Sequence, residues 1–393
     1  MQVCMLLLGQ YEEHTKIGTG ADLQAIMQAQ ELAKMGHKVT VVAKKNTLAS
    51  KVHEVTKNVQ IYRIGPNGFY TLWVLLILWH MRNQLDVVHI HGQHITGIFA
   101  ILISRILKIP TVMKITIAGR TSARMSFDKL MPRKWRLFRR LANTITLQAT
   151  AILAISEEIA AEMLAIGCNA LRLHHIPNGV DIKRFNQVDR AEKLALRKNL
   201  GLPIDKKIVL FSGRLVQRKG YDLLLTAWPT IYQHHKEDIH LIVVGDGKRA
   251  AIEKLKQLND QTNNSITYIG PVSTPEVYLK CSDIFLFPSR REGLPNALIE
   301  AMACGCACIA SDTGGCTDLI QSEATGLLFT TGSADDLAKK TSALLENNVL
   351  RNRVGANAHA LITKDYQISA VMSRISAIYA SISTKKTVNT SAM

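Results

Sequence analysis

Two segments of the chain gather residue types that can handle a phosphorylated ligand. The first reads Phe287-Pro288-Ser289-Arg290-Arg291-Glu292-Gly293-Leu294-Pro295-Asn296-Ala297-Leu298-Ile299-Glu300-Ala301-Met302. A strand-like run gives way to a turn and then to a helical pattern. Gly293, Leu294, Pro295 and Asn296 therefore fall at the turn and the first helical residues, whose unbonded N–H groups and dipole suit a phosphate. Glu292 in the loop and Glu300 inside the helix frame that turn. The second segment, Phe211-Ser212-Gly213-Arg214-Leu215-Val216-Gln217-Arg218-Lys219-Gly220, also follows a strand-like run. Arg214 and Lys219 in such a loop can neutralise a diphosphate leaving group, arginine with two oriented donors and lysine as a point charge. Taken singly, the segments also fit a capped helix and a solvated basic loop. Together they point to cleavage of a bond to a diphosphate.

Parallel strands must deliver those loops to one edge. Short β-branched runs at Lys38 to Ala43, Val87 to His91, Thr111 to Ile115 and Ala151 to Ser156 alternate with helical patterns, among them Ala21 to Met35, which ends at Gly36. The rhythm restarts after a polar stretch, Asn186 to Lys207, with strands expected at Ile208 to Ser212, His240 to Val244, Ile284 to Pro288 and Ala307 to Ser311. Ligands of open α/β sheets bind outside the carboxyl ends of the strands. The reading is α/β, with two Rossmann-like doubly wound parallel-sheet domains at 1–185 and 200–365 facing a central cleft.

Composition agrees with two packed cores: 393 residues, 47% hydrophobic and 20% charged. The apolar run Leu72 to Trp79 is too short to span a bilayer. The first residues, Met1 to Gly9, lack the basic flank of a signal peptide and read as a buried strand, so residence in the cytoplasm is expected. Seven cysteines form no disulfide or zinc spacing, and Cys304, Cys306 and Cys308 alternate as core residues would. The formal net charge is +17, and residues 1–190 hold 24 Lys/Arg against 12 Asp/Glu. That excess favours an anionic partner.

With those segments, Val244-Gly245-Asp246-Gly247, Ile269-Gly270-Pro271-Val272, Ser311-Asp312-Thr313-Gly314-Gly315, Thr325-Gly326-Leu327-Leu328, Ile176-Pro177-Asn178-Gly179-Val180-Asp181 and Gly36-His37-Lys38-Val39 resemble, in order and spacing, glycosyltransferase family four, the group 1 type. The resemblance implies a GT-B fold with a C-terminal helix, 366–383, crossing back to the first domain. It implies a retaining transfer from a UDP- or GDP-linked sugar, with no metal at the catalytic centre and no cofactor. The absence of any Asp-x-Asp triplet is consistent with that. In family terms Glu300 binds the ribose hydroxyls, Glu292 contacts the donor sugar, and Leu294 to Ala297 supply backbone donors to phosphate. Gly270, Pro271 and Val272 flank the base, with Gly245 in the neighbouring motif. Gly20, closing Gly18-Thr19-Gly20, belongs to a glycine-rich loop.

The first half departs from the family pattern. Thr116 stands where many members place a sugar-contacting histidine, Lys114 lies two residues before it, and His91 and His94 are the remaining candidates. Arg124 to Leu141 interleaves cations with Phe127, Trp135, Phe138 and leucines, a pattern that suits a helix resting on an anionic leaflet or an ordinary surface helix. Phe69 to Trp79 either docks beside it or belongs to the core. The expected enzyme is peripheral on the inner face of the plasma membrane and extends a lipid-linked saccharide. A transferase using a soluble sugar or sugar phosphate is the alternative, and an epimerase or hydrolase on the same scaffold a further one. No nucleic-acid-binding module is recognisable, so nucleic acid is not expected as a partner.

Overall fold

The computed structural model describes residues 1–7, 20–45, 52–65, 69–117 and 133–390, with backbone alone at 133–139 and 384–390. The chain divides into two compact units, Met1–Gly179 with Ile368–Met393, and Val180–Gln367.

Among the described residues, the first unit holds β1 (Gln2–Leu7), β2 (Lys38–Lys44), β3 (His53–Thr56), β4 (Val59–Ile64), β5 (Val87–His91), β6 (Thr111–Ile115), β7 (Ala151–Ala154) and β8 (Leu173–His175). Its helices are α1 (Gly20–Lys34), α2 (Tyr70–His80), α3 (Ile95–Ile106), α4 (Arg133–Thr146) and α5 (Glu157–Ala165). The strands form one sheet in the order β3-β4-β2-β1-β5-β6-β7-β8. Val- and Ile-rich strands such as β5 are buried along their whole length, as a sheet covered on both faces requires. α1 covers one face through Ala25, Ala29, Leu32 and Ala33, and is followed by Gly36 at φ +85. Only the edge pair β3/β4 is antiparallel, joined through Lys57 and Asn58, both at positive φ.

The second unit holds α6 (Arg190–Asn199), β9 (Lys207–Ser212), α7 (Tyr221–His235), β10 (Ile239–Val244), α8 (Arg249–Gln261), β11 (Ile266–Gly270), α9 (Pro275–Cys281), β12 (Ile284–Phe287), α10 (Asn296–Ala303), β13 (Ala307–Ser311), α11 (Gly314–Thr317), β14 (Leu327–Phe329), α12 (Ala334–Glu346) and α13 (Asn348–Asp365). Its parallel sheet runs β11-β10-β9-β12-β13-β14. The chain winds outward from β9 in one direction, returns, and winds outward from β12 in the other. The switch point therefore lies between β9 and β12, where such sheets bind ligands.

The polar stretch read as lying between domains is not a bare linker. Asp189 caps α6 through the Glu192 N–H at 2.8 Å, and Arg197 anchors the helix to Asp283 at 2.7 Å and to the Cys281 carbonyl at 2.9 Å. This burial of an arginine in a network of acceptors draws the residues from Val180 onward into the second unit, and the boundary falls at 179/180. The last helix, α14 (Ile368–Thr390), belongs to the first unit. Its Val371, Met372, Ile375 and Tyr379 complete that unit's core against α1. All seven cysteines are buried and free.

Candidate active site

The β9 and β12 loops are locked together by their backbones. After β9 a single 3₁₀ turn, Gln217–Lys219, ends at Gly220, whose φ of +71 starts α7. A Cβ on Gly220 would lie 1.8 Å from the Pro288 carbonyl oxygen in the β12 loop. Only glycine permits both the left-handed turn and that approach. The contact is reinforced by the Arg290 N–H donating to the Arg218 carbonyl at 2.9 Å, and by a bidentate clamp of Arg290 on Asp222 at 2.6 and 2.7 Å.

This frame brings Lys219 and Glu292 into contact. Lys219 Nζ donates to Glu292 Oε1 at 2.6 Å, the Ser289 hydroxyl donates to the same oxygen at 2.5 Å, and Arg218 Nη1 lies 3.3 Å from it. Ser289 is in turn held by Ser311 at the end of β13, whose hydroxyl donates to the Ser289 carbonyl. Oε1 is thus saturated, while Oε2 of the same carboxylate makes no hydrogen bond among the described residues. The Lys219 ammonium also sits 5.5 Å from the centre of the Phe287 ring. Arg214 is exposed and unpaired among the described residues; the structure does not bring it to Glu292.

Gly293, Leu294 and Pro295 lead into α10, whose N-cap, Pro295, offers no side-chain acceptor. Asn296 and Ala297, both half-buried, form its first turn, four and five residues after Glu292. Glu300 lies one turn further along. Burial pushes its carboxyl up to about 7, with Arg184 pulling it down and Glu276 pushing it up. Arg184 itself pairs with Glu276 at 2.8 Å. The charged form of Glu300 is therefore disfavoured until donors reach it.

On the other side of β9, the Gly245 N–H donates to the Gly270 carbonyl at 2.9 Å, and Gly245, at φ +140, passes so close to Gly213 that a Cβ would lie 1.9 Å from its oxygen. Gly270, at φ +83, therefore joins the row of loops, followed by exposed Pro271 and half-buried Val272. Gly20 belongs to the first unit, at the exposed start of α1; Gly18 and Thr19 lie outside the described residues.

In the first unit, β5 and β6 place His91 opposite Lys114. Lys114 is fully buried, its ammonium makes no hydrogen bond among the described residues, and burial pushes its pKa down to about 7. His91 stacks on His89 at 4.3 Å and is held well below the ordinary histidine range, first by burial and then by His89, Lys114 and His94. His89 Nδ1 meets the Tyr379 hydroxyl of α14 at 2.5 Å. His94 accepts from the Gly97 N–H at 3.0 Å and so caps α3. Of the basic amphipathic segment, residues 124–132 lie outside the described residues; from Arg133 on it is α4.

The sequence reading missed Ser289, Arg218 and the Arg290–Asp222 clamp. A signal was present in Ser289-x-x-Glu292, the spacing at which a hydroxyl reaches a carboxylate across one turn.

The family model described as Glycosyl transferases group 1 matches residues 192–361, and that described as Glycosyltransferase Family 4 matches residues 19–184. The chain is 30% identical over 213 residues to a GDP-mannose-dependent monoacylated alpha-(1-6)-phosphatidylinositol monomannoside mannosyltransferase of Corynebacterium glutamicum, a match spanning 52% of this chain and 55% of that protein. It is 24% identical over 354 residues to an uncharacterized glycosyltransferase of Methanocaldococcus jannaschii, spanning 86% of this chain and 88% of the relative. Among solved structures, Anabaena HepE in complex with UDP-glucose superposes with a TM-score of 0.75 at 19% identity, covering 97% of this chain and 100% of that one. That likeness is one of fold.

Proposed function

The chain belongs to the group 1 glycosyltransferases of family four, with the GT-B fold, and from that premise we propose a retaining hexosyl transfer from a UDP- or GDP-linked sugar to a lipid-linked saccharide, in the assembly of a surface polysaccharide or glycolipid. The observation that carries the donor site is the half-saturated Glu292, with Oε1 fixed by Lys219 and Ser289 and Oε2 making no hydrogen bond among the described residues, in the loop that leads to the N-terminus of α10.

In this reading the diphosphate lies against the α10 N-terminus, and Lys219 and Arg214 take up the charge that grows on it as the glycosidic C–O bond breaks. Lys219 keeps two of its three protons for phosphate while Glu292 holds it in place. Glu292 Oε2 accepts a hydroxyl of the donor sugar, and Glu300 accepts the ribose hydroxyls. Their hydrogen bonds restore the ionised form of Glu300 that burial disfavours. The names of the relatives support both nucleotides, one being GDP-mannose-dependent and a fold neighbour being in complex with UDP-glucose. The phosphatidylinositol mannoside in the first name supports a lipid-linked acceptor.

The test is product analysis with UDP- and GDP-linked hexoses and a polyprenyl- or phosphatidylinositol-linked saccharide, reading the anomeric configuration by NMR. Transfer with the donor's configuration kept is expected. Turnover of the donor alone, giving an epimer or free sugar at the same rate without acceptor, would overturn the proposal.

A further inference from the structure

We infer that the outer face of α2 and α3 is a docking surface for an anionic lipid bilayer, on which the first unit lies without crossing it. α2 buries Tyr70, Val74 and Leu78 along one side. On the opposite side, where a surface helix ordinarily carries charge, it and the residue before it expose Phe69, Leu72, Trp73, Leu76 and Trp79, the two tryptophans at 52% each. α3 packs against α2, with the Thr71 and Thr96 hydroxyls 2.9 Å apart, and extends the face through exposed Ile95, Phe99 and Ile106. Large apolar side chains on two adjoining helices exceed the scattered apolar exposure of an ordinary soluble surface.

The charge at the rim selects the occupant. The Arg82 guanidinium lies over the Trp79 ring at 4.9 Å, and Arg105 and Lys108 are exposed at the end of α3. α4, packed against α3, has no acid in its sequence and adds the exposed Arg140. Between residues 69 and 117 the single acid is Asp86, whose carboxylate accepts from the Gln2 N–H at 2.8 Å. An apolar, tryptophan-bearing face with a cationic border matches the interface of an anionic leaflet, with rings at headgroup depth and cations on phosphates. A second copy would set cations against cations across a two-fold interface. α2 has 11 residues, and no helix among the described residues is long and apolar enough to cross a membrane, so the contact lies in the plane of the surface.

The inference deepens the lipid-linked reading above, because it places the enzyme where such an acceptor resides, but its test needs neither donor nor acceptor. The full chain is floated with vesicles of phosphatidylcholine alone and of phosphatidylcholine with about one quarter phosphatidylglycerol, at low and high salt, a comparison that isolates the electrostatic part. The wild type should float with the anionic vesicles and be partly released by salt. The triple variant Trp73→Ser, Leu76→Ser, Trp79→Ser should lose at least about tenfold in partition. Arg105→Glu with Lys108→Glu should lose on the order of tenfold on anionic vesicles and little on neutral ones. These side chains are exposed, so unchanged thermal midpoints and an unchanged stabilisation by sugar nucleotide separate lost docking from lost folding or a failed donor site. Wild-type protein that stays with the dense fraction, or a triple variant that floats as the wild type does, would overturn the inference. So would light scattering that finds a wild-type dimer and a monomeric triple variant, which would assign the face to a second copy.

Discussion

At the β9/β12 switch point the charges are answered or exposed: Lys219 faces Glu292 at 2.6 Å, Arg290 clamps Asp222, and Arg214 lies on the surface. At the ends of β5 and β6 in the first unit the polar groups are deeper and less satisfied. Lys114 is fully buried without a hydrogen-bond partner among the described residues, and His91 Nε2 is likewise unpaired among them. In the second unit the charged side chains fix one another, the arrangement proposed above as an anion site. The first carries an electrostatic cost within its core and exposes apolar surface at α2. In the proposed reading a phosphate partner accounts for the former arrangement, and a lipid surface for the apolar face of the latter.

The largest expected effect breaks the second unit's side of this contrast. Lys219→Ala removes the fixed cation and should slow transfer on the order of 10²- to 10³-fold. Steady-state rates, with thermal midpoints as the control for folding, check this. Gly220→Ala attacks the frame instead: with the left-handed turn and the Pro288 contact both violated, it should cost at least about 2 kcal/mol in urea unfolding.

Lys114→Met tests the first unit, where the opposite sign is expected: removing an uncompensated buried charge should stabilise the protein at neutral pH by about 1–3 kcal/mol. Because burial lowers the lysine's folded pKa to about 7 from 10.5, the unfolded chain binds the extra proton between those values. Wild-type stability from this group should therefore rise with pH across that window, and the variant should lose the slope. Identical slopes would remove the contrast.

The smallest effect concerns Glu300. Its folded pKa is raised to about 7 from 4.5, so the folded state holds the proton more tightly and stability falls as pH rises through that range. Glu300→Gln should accordingly gain on the order of 1 kcal/mol at pH 8 and little at pH 5, read from unfolding curves at the two pH values.

The donor-side loops were legible because their chemistry is local. A glycine, a cation or a carboxylate at a strand end declares itself within ten or so residues, and the strand rhythm predicts that parallel pairing brings such ends together. Which residues then touch depends on pairing across the sheet. Arg214 and Lys219 read alike as cations near a diphosphate, yet of these two only Lys219 meets Glu292. The edge hairpin β3/β4 was missed because Lys57 and Asn58 make its positive-φ turn without the glycine that ordinarily marks one. α6 read as linker because its burial rests on Arg197, a residue whose sequence signal is that of surface. α2 read equally as core or membrane-facing, since a helix apolar all round has no face to orient it until its neighbours are placed.

The central claim is that the loops after β9 and β12, with α10, form a nucleotide-diphosphate-sugar site. Its most direct test is a thermal-shift titration of the purified protein with UDP- and GDP-linked sugars, since a ligand that binds only the folded state raises apparent stability. The account predicts a selective rise with one nucleotide. That rise should be weakened in Glu300→Ala by the roughly 1.5–3 kcal/mol of a hydrogen bond to a charged group, and weakened again in Lys219→Ala. No rise with any sugar nucleotide, or an undiminished rise in both variants, would contradict it.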